Sequence, residues 1–132
     1  MAADTGPQPT TIDEAIAGLT FLADRTPETT DEQAGNAFGL VADYRDGGVF
    51  VAHFAGRSEW ERHPQGDEIV MVTGGETTMT FLVGGEEQAA VLRPGDLVVV
   101  PQNTWHRFDA PIEVKLMSVT PQPTEHQATR PR

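Results

Sequence analysis

Trp60-Glu61-Arg62-His63-Pro64-Gln65-Gly66-Asp67-Glu68-Ile69-Val70-Met71-Val72 joins two strand-like runs across a turn. In an extended strand, residues two apart point the same way, so Glu61 and His63 share a face. The Pro64 to Asp67 turn brings Glu68 back beside them, and its same-face neighbours Val70 and Val72 are apolar. Glu68 is therefore expected to point into a barrel interior, where a carboxylate is costly unless paired, hydrogen-bonded or bound to a metal. A second segment, Val98 to Phe108, sets Thr104, His106 and Phe108 on one face and Trp105 and Arg107 on the other.

Outward from these segments the period of two continues. Phe38 to Tyr44 and Val49 to Phe54 flank Asp46-Gly47-Gly48, a hairpin signal. Further strand-like runs are Glu68 to Thr73, Thr77 to Val83, Gln88 to Arg93, Asp96 to Val100, Thr104 to Asp109 and Glu113 to Val119. Gly74-Gly75, Gly84-Gly85, Pro94-Gly95 and Pro101-Gln102-Asn103 separate them as turns. Many short strands without intervening helices predict an all-β sandwich or closed barrel. Before them, Thr11 to Glu14 has the spacing of a capping box, and Ile12, Ala15, Ile16 and Leu19 predict a short N-terminal helix. Arg25 to Asn36 is polar, contains Pro27 and reads as a loop. Residues 1–10 and 121–132, rich in Pro, Thr and Gln, are expected to be mobile or to pack as extended arms of a single domain spanning 1–132.

The chain of 132 residues has no cysteine, which excludes disulfides, thiolate-zinc sites and a cysteine nucleophile. Any metal must bind through nitrogen and oxygen. Twenty acidic residues against nine basic ones give a formal charge of −11, which repels phosphate backbones and anionic membranes. No nucleic-acid or membrane partner is expected. The longest apolar runs, such as Leu97 to Val100, are too short to span a bilayer, and Met1 to Pro9 does not read as a signal peptide, so a cytoplasmic protein is the expectation. No Ser-His-Asp arrangement, phosphate loop or dinucleotide glycine pattern is present.

The two segments together resemble the motifs of the cupin superfamily, which read roughly G-x5-H-x-H-x(3 or 4)-E-x6-G and G-x5-P-x-G-x2-H-x3-N. Here the first is Gly56-x4-Glu61-x-His63-x4-Glu68-x6-Gly75, and the second is Gly95-x5-Pro101-x-Asn103-x2-His106-x3-Ala110. The resemblance covers about residues 50 to 120 and implies the double-stranded β-helix, or jelly-roll barrel, of a small single-domain bacterial cupin. It also implies a divalent metal on His63, Glu68 and His106. Three positions depart from the pattern: Glu61 replaces a histidine, Asn103 a glycine and Ala110 an asparagine. Asn103 is a mild change, since Asn tolerates left-handed backbone. Glu61 either completes a set of two His and two Glu, pairs with Arg62 or Arg107, or faces solvent. Without it, two histidines and one carboxylate remain, with open positions. Either set suits Fe(II), Mn, Ni or Zn, and the sequence does not select among them. The alternative is a set of satisfied interior polar groups in a barrel that holds no metal.

The resemblance implies a metal-dependent enzyme, oxygenase- or isomerase-like, acting on a small organic molecule. Glu68 is the assigned catalytic residue, with Glu61 the other carboxylate able to leave the metal and act as general base. The alternative is a non-catalytic metal- or ligand-binding or sensing module, and fold alone does not choose. His53, in phase with Val49 and Val51, reads as lining the barrel or as a hydrogen-bonded core histidine. His126 reads as a solvated residue of the tail. Trp60, Phe108, Met79 and Phe81 either shape an apolar pocket or are simple core. Ile69, Met71, Val99 and Trp105 lie out of phase with the ligands yet are apolar. A strand apolar on both faces needs cover on both, which predicts a homodimer.

Overall fold

Alternating apolar and polar residues fold into one ten-stranded sheet that curls into a barrel around the inward faces. The structure is a computed structural model describing residues 6–132; residues 1–5, half of the first expected arm, lie outside the described residues. The elements are α1 (Ile12–Ala17), β1 (Leu22–Arg25), α2 (Asp31–Ala34), β2 (Phe38–Tyr44), β3 (Gly47–Arg57), β4 (Trp60–Arg62), β5 (Glu68–Gly75), β6 (Thr77–Val83), β7 (Glu86–Leu92), β8 (Leu97–Val100), β9 (His106–Pro121) and β10 (Glu125–Gln127). The all-β fold with a short N-terminal helix is as the sequence predicts. No helix among the described residues is long and apolar enough to cross a membrane.

The sheet is organised on β9. One edge of β9 pairs antiparallel with β3, from Gly47↔Pro121 to Arg57↔Asp109, and then with β4 at Glu61↔His106. The other edge pairs with β6 from Phe81↔His106 to Thr78↔Asp109, and with β5 from Gly75↔Val114 to Ile69↔Val119. Two separate strands were expected here, divided near Pro111. Instead the strand is continuous, and Pro111, Ile112 and Glu113 bulge opposite Ala55 where β9 changes partner from β6 to β5. The bulge suits a proline, which has no N–H to give a ladder, and Ile112 is exposed there. The core cluster collects the inward residues of these strands: Ala52 and Phe54 from β3, Val70 and Val72 from β5, Met79 from β6, and Phe108, Val114 and Leu116 from β9.

Three local expectations are corrected. The Arg25 to Asn36 stretch contains α2, held by a reciprocal capping box between Thr30 and Gln33, while at α1 only Thr11 caps, accepting from the Glu14 N–H. The β2–β3 turn is Arg45-Asp46, with Arg45 at φ 50°, and Gly47 and Gly48 belong to β3. Gly47 is needed for approach rather than for turning: a Cβ there would lie 1.9 Å from the Thr120 carbonyl oxygen. His53 shares its face with Val51, not with Ala52 and Phe54. It stacks on Phe21 at 4.6 Å, away from the barrel core.

Gly47→Ala is expected to destabilise the protein by about 2 kcal/mol or more, because the β3–β9 ladder must part. Gly18→Ala, with 3.7 Å of room, should stay within about 0.5 kcal/mol. Urea unfolding of the two variants makes the comparison.

Candidate metal centre

Alternation on β4, β5 and β9 delivers three of the candidate side chains inward, and the turn after β4 delivers the fourth. Glu61 and His106 are directly opposed in the β4–β9 register. Their neighbours Trp60, Arg62, Trp105 and Arg107 therefore point outward, where Arg62 covers the Trp105 ring at 4.6 Å and Arg107 the Trp60 ring at 4.6 Å. Trp60 is nonetheless buried, 1% exposed beneath Arg107, so it is core on the face opposite Glu61 and does not line the cavity. His63 follows β4 and is fixed by two neighbouring turns. Its carbonyl accepts from the Asn103 N–H, Gln102 donates its side-chain N–H to the Pro64 carbonyl, and the Gln102 backbone N–H donates to Asp67. Asn103 sits at φ 62°, the left-handed conformation its side chain tolerates.

Glu61, His63, Glu68 and His106 converge so that one ligand atom from each lies within 4.8 Å of all the others. Glu68 Oε1 is 3.2 Å from His63 Nε2 and 3.1 Å from His106 Nε2, and Glu61 Oε1 is 3.5 Å from His106 Nε2. His63, Glu68 and His106 are buried, while Glu61 is partly open. Neither Arg62 nor Arg107 pairs with Glu61: Arg62 is bound to Glu125, and Arg107 lies on Trp60.

Each buried member spends its second polar atom on the protein. His106 Nδ1–H donates to the Thr104 carbonyl at 2.9 Å, which leaves Nε2 with a lone pair facing the cluster. His63 Nδ1 lies 3.0 Å from the Thr124 hydroxyl, which can accept its proton or donate to it. Glu68 Oε2 accepts from the Thr120 hydroxyl at 2.6 Å. Thr120 has a single proton and gives it to Glu68, so the Ser118 hydroxyl, 2.8 Å away, donates to Thr120. Nε2 of both histidines and Oε1 of Glu68 remain buried with no hydrogen-bond partner. Neutral imidazoles leave these three atoms unsatisfied, and either a proton on His106 shared with Glu68 Oε1 or a cation between them removes that cost. The donor set therefore fits a divalent cation and can hold one, with two imidazole nitrogens and one or two carboxylate oxygens.

Thr124 and the tail that carries it were not anticipated as part of the site. β10 pairs with β4, placing His126 opposite Glu61; His126 Nδ1 is 2.7 Å from Glu59 and 3.9 Å from Glu61. The tail histidine is thus half-exposed but paired. Ser118 and Thr120 did carry a signal, as hydroxyls in phase with buried Val114 and Leu116 on an inward face. The cluster opens into a cavity of about 300 Å³ whose walls include Phe50, Phe54, Phe108 and Leu116.

The chain belongs to the Cupin domain family, whose pattern matches residues 50–120. The uncharacterized protein YdbB of Bacillus subtilis (strain 168) is 33% identical over 67 residues, covering 51% of this chain and 57% of that protein. The chain thus spans little more than half the length of that curated relative. Among solved structures, a cupin-2 domain containing protein from Shewanella frigidimarina superposes with a TM-score of 0.54 at 23% identity, covering 68% of this chain and 79% of that one. The hydroquinone 1,2-dioxygenase PnpCD, solved with Cd2+ and 4-hydroxybenzonitrile, superposes with a TM-score of 0.55 at 19% identity, covering 64% and 63%. Both structural likenesses speak for the fold alone.

With protein groups alone, burial disfavours charge on both His106 and Glu68. The carboxylates of Glu61 and Glu68 nevertheless hold His106 up to about 10, and the imidazoles of His106 and His63 draw Glu68 down to about 2. The raised His106 value stabilises fully below its unfolded value of about 6.5 and is lost as pH climbs toward 10. The lowered Glu68 value stabilises fully above about 4.5 and is lost as pH falls toward 2. Chelator-treated protein should therefore melt highest between about pH 4.5 and 6.5. Metal uptake near pH 7 should release a proton, because His106 must be neutral to ligate. Calorimetric titration in two buffers of different ionisation enthalpy measures that proton. Thr120→Val and Thr124→Val should each weaken metal affinity about 10- to 100-fold without changing stoichiometry.

Proposed function

We propose that this cupin binds a divalent metal through His63, Glu68, His106 and Glu61 and acts as a metal-dependent enzyme, oxygenase- or isomerase-like, on a small organic molecule. The observation that carries the reading is the trio of buried, unpartnered ligand atoms, each belonging to a residue already locked through its other polar atom. A bound ion would supply Lewis acidity or a redox centre. The cavity beside it, lined by Phe50, Phe54 and Phe108, gives an organic molecule an apolar wall.

Within this reading the two carboxylates take different parts. Glu68 is pinned by Thr120, and its basicity is lowered by the imidazoles beside it, which makes it a fixed ligand. The sequence assigns Glu68 as the base, but Glu61 suits that role better. It is partly open, lines the cavity, and receives no hydrogen bond from a hydroxyl. Glu61 is the carboxylate free to turn and accept a substrate proton.

Elemental analysis of protein purified without added metal should find a first-row transition metal. His63→Ala and His106→Ala should each abolish tight binding, and Glu61→Gln should weaken it less than Glu68→Gln. Unchanged stoichiometry in both histidine variants would remove the assignment.

The reading includes a homodimer. Ile69 on β5 and Leu97 and Val99 on β8 remain exposed on the outer face of paired strands whose inner face is already core. A second copy of the same row would cover it. Trp105, expected in that row, is instead covered by Arg62. Sedimentation at micromolar concentration should give the dimer mass, and Val99→Lys the monomer mass.

A further inference from the structure

Arg25 ends β1 and lines the same cavity. Its guanidinium lies over two aromatic faces, 4.7 Å from the Phe38 ring centroid and 4.5 Å from that of Phe54. A guanidinium carries five donors in a rigid fork. Among the described residues, none of them makes a hydrogen bond or an ion pair, although Arg57, Arg62, Arg93 and Arg130 all form ion pairs with carboxylates. Burial lowers its pKa, only partly offset by the charges of Glu61 and Glu59. A half-buried cation whose fork makes no hydrogen bond to the described residues is free to take an anion from the cavity.

The position of this cation is fixed by backbone. β1 runs parallel to β3 with Arg25 opposite Gly56. Gly56 has φ 105°, and a Cβ there would lie 2.1 Å from the Arg25 carbonyl oxygen. The close approach and the two rings leave the fork little freedom, so binding costs little ordering entropy.

We propose that Arg25 is the carboxylate-binding residue of this cavity, and that the occupant is a small monoanionic carboxylic acid with an aromatic or similarly apolar body. The proposal rests on reading the cavity as a small-molecule site. Three features select that ligand class. Arg25 is the one Arg or Lys among the lining residues, while Asp31, Glu59, Glu61 and Glu68 also line the space and repel a polyanion. A carboxylate matches the guanidinium fork with two parallel hydrogen bonds. Phe38, Phe50, Phe54 and Phe108 offer ring faces and edges to an apolar body.

The test uses benzoate, phenylacetate and 3-phenylpropanoate, each paired with its uncharged amide. Calorimetry or ligand-observed NMR reads their affinities for the metal-loaded and the chelated protein. At least one acid should bind about tenfold or more tightly than its amide. Arg25→Gln should erase that preference while leaving amide affinity and metal stoichiometry unchanged. Arg25→Lys, which keeps the charge but not the fork, should retain part of it. Equal affinity of acids and amides for the wild type, including no binding of either, overturns the proposal. So does a preference that survives Arg25→Gln but vanishes on chelation, because the ion then reads the carboxylate. A preference that persists in chelated protein and depends on Arg25 supports it, even where metal analysis fails the reading above.

Discussion

The Glu68 carboxylate lies between two imidazoles in the floor of an apolar barrel, and its burial constrains most of what surrounds it. One oxygen must be satisfied by Thr120, which draws Ser118 into line behind it. The other faces the imidazole edges, so each histidine has to present Nε2 and anchor Nδ1 elsewhere. That requirement reaches the Thr104 carbonyl for one ring and the tail hydroxyl of Thr124 for the other. Two negative charges, Glu68 and Glu61, face His106 and raise its pKa, so a proton and a divalent ion compete for the same imidazole nitrogen.

Strand register enforces this arrangement. β4 is three residues long and contributes one inward side chain, Glu61, opposite His106. A slip of one residue would turn Trp105 or Arg107 inward and His106 out. The outward arginine–tryptophan stacks on the two strands oppose such a slip, since both would be broken by it. On β9 the bulge at Pro111 to Glu113 absorbs the change of partner, so the inward phase holds for Val114, Leu116, Ser118 and Thr120.

The convergence of Glu61, His63, Glu68 and His106 was legible because it rests on period two and one short turn, both local properties of the chain. The fold class was legible for the same reason. What escaped depends on pairing between distant segments. Arg25 enters through β1 against β3, and Thr124 through β10 against β4, and neither contact leaves a periodic trace. Both faces of β3 are apolar, so the sequence leaves its phase open and His53 reads as an interior residue. The two runs ending at Asp109 and starting at Glu113 are one strand that only bulges between them. Thr30 and Gln33 of α2 form a capping box that can be read in the sequence, but α2 is only four residues long and carries no apolar periodicity.

Thr124 has one further consequence. The segment that carries it is held by a three-residue strand, the Arg62–Glu125 pair and Arg130 on Glu87. Its hydroxyl nevertheless orients the His63 ring. Docking of the chain end and orientation of that ring are therefore a single equilibrium with two handles. Whatever favours the oriented imidazole must, by reciprocity, favour the docked end by the same free energy. Anything that grips the oriented ring would in the same way hold this segment against β4.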